Sequence, residues 1–251
     1  MEFINKSLNK EVVLGIIYIG DRNAGKTHLA MELANPTNNY VRVESNYFNS
    51  QPLPTDAQNS IYSKTLKLEI QLPSGNKQLI LDWIDTPGEI WRTHWQEEKR
   101  SEWQNFLNII KQTEGILLVL SPYRQMITSH NVNRDEFITE KQWCNRFNRW
   151  VKFFRSDCPK IRHLLLCLNK ADLFCNYEKE GQKLGYFSYN SPLNWQQRNS
   201  YVRQKYFSPI DRQIKELNQS ISGLSIRCFI TSIHNRNLLE LPWIYLGSFL
   251  N

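Results

Sequence analysis

Eight consecutive residues, Gly20-Asp21-Arg22-Asn23-Ala24-Gly25-Lys26-Thr27, set two glycines, a lysine and a hydroxyl at the spacing G-x-x-x-x-G-K-[ST]. An apolar run from Val12 to Ile19 precedes them, and good helix formers from Thr27 to Leu33 follow. A strand, a glycine-containing turn and a helix in that order make an anion cradle. The glycines let the chain curl so that successive N–H groups converge on phosphate oxygens, and the positive end of the helix favours the same charge. Lys26 is then expected to reach β- and γ-phosphates and Thr27 to offer its hydroxyl to Mg²⁺, with the stretch from Gly20 through His28 lining the phosphates. The bland alternative is an ordinary turn before a helix.

Three further groups stand downstream. In Leu81-Asp82-Trp83-Ile84-Asp85-Thr86-Pro87-Gly88-Glu89, Asp85 closes an apolar strand and the chain turns away at Pro87-Gly88. Asp85 is expected to hold Mg²⁺ through a coordinated water, and Gly88, without side-chain bulk, to bring its N–H to a γ-phosphate. Asn169-Lys170-Ala171-Asp172 follows another apolar run. The Asp172 carboxylate can accept both the N1–H and the 2-amino hydrogens of guanine, a pairing that adenine cannot return. Lys170 can lay its stem along the base, and Asn169 can brace the phosphate loop. The alternative is a polar turn with Asp172 as a helix cap. After the last apolar run, Thr231-Ser232-Ile233 can offer a backbone N–H, from Ser232 or Ile233, to guanine O6. His94, Glu97 and Glu98 could reach an attacking water, but read first as exposed polar residues at a helix start.

In this order, GDRNAGKT, DTPGE, NKAD and TSI resemble the translation-factor-related class of P-loop GTPases, with Asn23 and Pro87 more similar to the Era/TrmE-like branch than to Ras. The resemblance spans about residues 10–235. It implies an α/β P-loop NTPase G domain, guanine-nucleotide binding (GTP and GDP), Mg²⁺ as cofactor, slow hydrolysis and a two-state switch. The implied catalytic set is Lys26, Thr55, Gly88 and Glu89, and the implied metal set is Thr27, Thr55 and Asp85. Thr55 is taken as the first-switch threonine ahead of Thr37 and Thr65. Two departures bear on mechanism. Glu89 stands where Ras-like enzymes carry a water-orienting glutamine; an ionised glutamate only accepts hydrogen bonds and brings negative charge towards the γ-phosphate. Arg22 lies beside the phosphates, as a charge-stabilising group in cis or as an outward-facing side chain. Asn23 resembles the residue that helps bind K⁺ in potassium-stimulated relatives.

The elements that must position these groups are legible in the hydrophobic pattern. Val12–Ile19, Gly115–Leu120, His163–Leu168 and Leu224–Ile230 are nearly continuous apolar runs, as buried parallel strands require. Thr65–Leu72 alternates apolar with polar residues, a half-exposed strand expected at the sheet edge, and Pro73-Ser74-Gly75-Asn76 returns it into Gln78–Asp85 as a hairpin. Helices are expected over Glu98–Lys111, Asp135–Arg155 and Asn194–Leu217, the last broken near Pro209. The expected architecture is a six-stranded, mostly parallel sheet with one antiparallel edge strand and helices on both faces. Trp143, Phe147, Trp150 and Phe154 form a core stripe; Arg146, Arg149, Lys152 and Arg155 read as a solvated face.

At 251 residues, 41% hydrophobic and 22% charged, the chain is expected to form a single domain over residues 1–251. Insertions near residues 121–140 and 174–219 exceed a minimal domain of this kind and are candidates for partner binding or extra sheet cover. The tail Leu238–Leu250, interrupted by Pro242, is expected to cap the sheet or to dock on another protein. A net charge of +7 points to anionic partners, nucleotide first, with RNA not indicated by any dedicated domain. A protein effector or activator is the expected macromolecular partner. Apolar runs are too short to span a bilayer, no secretory signal is seen, and five unpaired cysteines suit a reducing compartment, so a cytoplasmic location is expected.

Overall fold

The structure, a computed structural model, describes residues 12–13, 16–21, 23–35, 40–43, 62–85, 90–91, 93–188 and 190–249, side chains excepted at 12–13, 62–65 and 81–85. Each apolar run expected as a strand is one. Val12–Val13 (β1) and Ile16–Gly20 (β2) divide the first run, followed by Val41–Val43 (β3), Tyr62–Leu72 (β4), Gly75–Asp85 (β5), Gly115–Leu120 (β6), His163–Leu168 (β7) and Ser225–Ile230 (β8).

Two four-stranded sheets replace the expected single six-stranded one, in the orders β1-β5-β4-β3 and β2-β6-β7-β8. The second is parallel throughout, with Ile16 opposite Gly115, Gly115 opposite His163 and His163 opposite Ser225. In the first, β1 runs parallel to β5, while β4 is antiparallel to both β5 and β3. β2 also lies beside β5, so the run read as one strand serves both sheets. The edge assignment is corrected too: β3 pairs along β4, Val41 opposite Ile70, and takes the outer place. Alternation in β4 reports that Leu66, Leu68 and Ile70 face the core while Lys67 and Glu69 do not. It is silent on which strand lies alongside.

Every residue of β2 and β6 is buried. Because neighbouring side chains point to opposite faces, both faces are covered. Lys26–Ala34 (α1) and Arg236–Phe249 (α8) pack together, and α8 also meets β3, β4, β5 and β8. Between β5 and β6 lie two helices, Thr93–Glu98 (α2) and Arg100–Ile110 (α3), instead of the single one expected. Glu140–Asp157 (α4) starts at a capping box in which Thr139 and Gln142 satisfy each other's backbone N–H groups, which is why it begins after Asp135. Its stripe of Trp143, Phe147, Trp150 and Phe154 is buried as read. Tyr177–Leu184 (α5), Trp195–Tyr206 (α6) and Asp211–Ser220 (α7) occupy the long segment before β8, with a 3₁₀ turn, Ser208–Ile210, at the expected break.

Pro242 does not interrupt α8. The helix continues through it, forgoing one backbone hydrogen bond, while Leu238–Gly247 are buried without a gap. Of the two expectations for the tail, sheet capping is the one observed. An ion pair secures it: Arg236 donates to Glu240 at 2.6 Å and to the carbonyls of Glu32, Leu33 and Val41, tying the end of α1 and the start of β3 to α8. Glu240 accepts from the Tyr40 N–H at 3.1 Å.

Burial holds the Glu240 carboxyl above its ordinary value, against the lowering influence of Arg236. A raised carboxyl contributes stability that is present below the unfolded-state value and lost as pH rises through the folded one. Arg236→Met is therefore expected to cost about 3 kcal/mol at neutral pH, because it leaves a buried carboxylate unpaired. The deficit should shrink as pH falls through the folded-state value of Glu240. Urea denaturation across pH measures both.

Candidate functional site

Gly20 is the last residue of β2, and the close approach of β6 dictates its type. A Cβ there would lie 2.2 Å from the Val119 carbonyl oxygen. The chain then turns: the Ala24 N–H donates to the Asp21 carbonyl at 3.2 Å, and Asn23 and Gly25 take positive φ of 61° and 86°. Asparagine and glycine are residue types that tolerate this left-handed region. α1 opens at Gly25 with no side-chain cap and no acid in its first turn. The Lys26 ammonium curls back to donate to the carbonyls of Gly20 and Asp21, both at 3.3 Å. A buried cation and a helix N-terminus without an acidic cap thus face the same turn, and together they favour an anion. Thr27 is half-buried in the first turn; His28 is exposed beside it.

Asn169 ties this loop to the others. Its Nδ2 donates to the Ala24 carbonyl at 2.8 Å, its Oδ1 accepts from Thr231 Oγ1 at 3.2 Å, and it is 3% exposed. Backbone bonds reinforce the bridge, since the Thr231 N–H donates to Leu168 and the Ala171 N–H to Thr231. Lys170 takes φ 63°, an unfavourable region for lysine that concentrates at functional sites. Its ammonium sits 5.5 Å from the centroid of the Phe137 ring. Burial lowers the pKa of that ammonium, while Asp172 and Glu136 raise it. Ser232 is buried and its Oγ donates to Asp172 Oδ1 at 2.6 Å, fixing the carboxylate's direction. Asp172 lies within the 3₁₀ turn Ala171–Leu173, and Asn176, not Asp172, caps the following helix α5. Ile233 is half-buried next to Ser232.

The structure therefore brings Gly20, Asp21, Asn23, Ala24, Gly25, Lys26, Thr27, Asn169, Lys170, Asp172 and Ser232 to one end of the parallel sheet. Asp85 ends β5, which runs parallel to β1, so its backbone lies towards the same end. Arg22, Thr37, Thr55, Pro87, Gly88 and Glu89 lie outside the described residues. His94 pairs with Glu98 at 3.2 Å on the exposed face of α2.

Two residues of α4 also bear on the site. Arg146, assigned to a solvated face, sits with Nη1 3.9 Å from Asp21 Oδ2. Trp150, buried in the core as read, is also among the groups that favour the charged form of Asp21. Burial raises the pKa of Asp21 against the pull of Arg146, Lys26, Trp150 and Arg149. The sequence signal was an acid in the phosphate loop that needed compensation. Which helix supplies it depends on packing.

No protein-family model matches the sequence, and no curated protein matches it. Among solved structures, the chain is similar to that of Methanosarcina barkeri Roco2 RocCORdC bound to GDP, with 19% identity over 95% of this chain and a TM-score of 0.41. The match covers 49% of that chain, so this protein spans about half its length. At that level of similarity, the loops themselves bear on function.

Gly25→Ala is expected to lose about 2 kcal/mol of stability from the left-handed backbone alone. The added Cβ would stand 2.6 Å from Asn169 Nδ2 and push the bridging amide away. A lowered urea midpoint with unchanged slope is the expected result.

Proposed function

We propose that this chain binds guanine nucleotides and hydrolyses GTP slowly as a molecular switch. The observation that carries the proposal is the Asn169 side chain, which bonds the phosphate loop through Ala24 and the final loop through Thr231. An anion cradle and a carboxylate aimed by Ser232 are thereby held at a set separation, as a nucleotide with phosphates at one end and a 2-amino purine at the other would require. Paired polar recognition of this type discriminates strongly, since the wrong base leaves a partly buried carboxylate unmatched.

Magnesium fits the residue types. Thr27, in the first turn of α1 beside Lys26, and Asp85, at the carboxyl end of β5, would supply hydroxyl and carboxylate oxygens, the ligands this ion prefers. The ion would neutralise charge on the β- and γ-phosphates. The protein's own contribution is to present Lys26 and the loop N–H groups in a fixed arrangement that needs no reorganisation. Thr55, Gly88 and Glu89 complete the proposal as switch residues, with Glu89 in place of a glutamine accounting for slow turnover. An activating protein or K⁺ at Asn23 would add the missing positive charge.

Calorimetry with Mg·GTP, Mg·GDP and Mg·ATP tests the reading. Both guanine nucleotides should bind and ATP should not. Ser232→Ala, which frees the Asp172 carboxylate to rotate, should weaken both by about fivefold, in line with one hydrogen bond. Single-turnover phosphate release in KCl and in NaCl then measures hydrolysis. Absence of heat with either guanine nucleotide would overturn the assignment.

A further inference from the structure

Asp21 poses a problem that the proposed function does not itself solve. Its backbone carbonyl anchors Lys26, so the residue belongs to the phosphate loop, yet its side chain is an acid beside the place reserved for phosphates. The carboxylate is 14% exposed and faces α4, away from solvent. The Arg146 guanidinium of that helix lies 3.9 Å from it, and Trp150 and Arg149 of the same helix also favour its charged form. Among the described residues, Lys26 is a further cation that favours its charged form. Trp150 is itself braced, its ring centroid lying 4.3 Å from that of Trp91 and 6.0 Å from that of Phe154.

We infer that Arg146 is a positioning residue for phosphate binding, acting through Asp21. Arg146 neutralises a carboxylate that would otherwise repel the phosphates and compete for the Lys26 ammonium. The role rests on the nucleotide-binding reading above, but it concerns only the phosphate end of the site. Arg146 is 42% exposed, so its pairing is partly screened and its effect should be modest.

The experiment is a double-mutant cycle on the full chain, read by calorimetry with Mg·GTP, Mg·GDP and inorganic tripolyphosphate. Arg146→Ala should weaken all three probes by about fivefold in the wild-type background and by less than about twofold in the Asp21→Asn background. Arg146→Lys should recover most of the loss by restoring the charge. Should the alanine variant melt below the assay temperature, Arg146→Gln takes its place in the same cycle. Equal weakening in both backgrounds would mean that the arginine acts on phosphate directly, and would overturn the inference, as would no weakening at all. A wild-type protein that binds tripolyphosphate without preferring guanine nucleotides would defeat the functional reading while the cycle still decides the role of Arg146. A wild-type protein that binds none of the three defeats both.

Discussion

One buried carboxamide carries the organisation of the site. Asn169 can donate and accept at once, and it spends both capacities on loops that are distant in the chain, at Ala24 and at Thr231. Removing either partner would leave a polar group buried without a bond, at a cost of about 1–3 kcal/mol. The bridge exists because β2, β6, β7 and β8 are parallel and in neighbouring places, so their carboxyl ends open on the same side. The ligand groups of open α/β sheets collect at that end for the same reason.

Around the bridge, the backbone is held where few residues rest comfortably. Asn23, Gly25 and Lys170 take positive φ, and Gly20 is packed against the Val119 carbonyl with no room for a side chain. Lys26 is kept in place by carbonyls of its own loop, and α1 begins without an acid to satisfy it. Each feature disfavours the isolated loop. Together they set a buried cation and an acid-free helix N-terminus at one turn, an arrangement that favours an anion there. The surrounding fold supplies the compensation: α8 locks the end of α1 and the start of β3 through Arg236 and Glu240.

The segments longer than a minimal domain requires have defined structural duties. Asn199 on α6 accepts the Cys228 N–H at 2.8 Å, so the long segment before β8 covers a strand whose outer edge is otherwise a template for pairing. In the segment before α4, the N–H groups of Thr128 and Ser129 both donate to the Leu173 carbonyl, and Phe137 lies against Lys170. That segment therefore supports the turn that carries Asp172. Cover for the sheet and support for the site thus come from different segments.

Much was legible before any coordinates. Continuous apolar runs announced the buried strands, because a strand covered on both faces has no polar position to spare. Spacing alone nominated Gly20, Lys26, Asn169 and Asp172, because only certain residue types can curl a loop, meet a phosphate or pair with a purine edge. Sequence could not say that β3 would flank β4, since alternation registers exposure of a face and not the identity of a neighbour. Nor could it distinguish Arg146, which meets Asp21, from the other basic residues of α4. Local chemistry is written in residue type and spacing. Which helix turns which side chain towards which loop is decided only when packing sets the helix's rotation and height against the sheet.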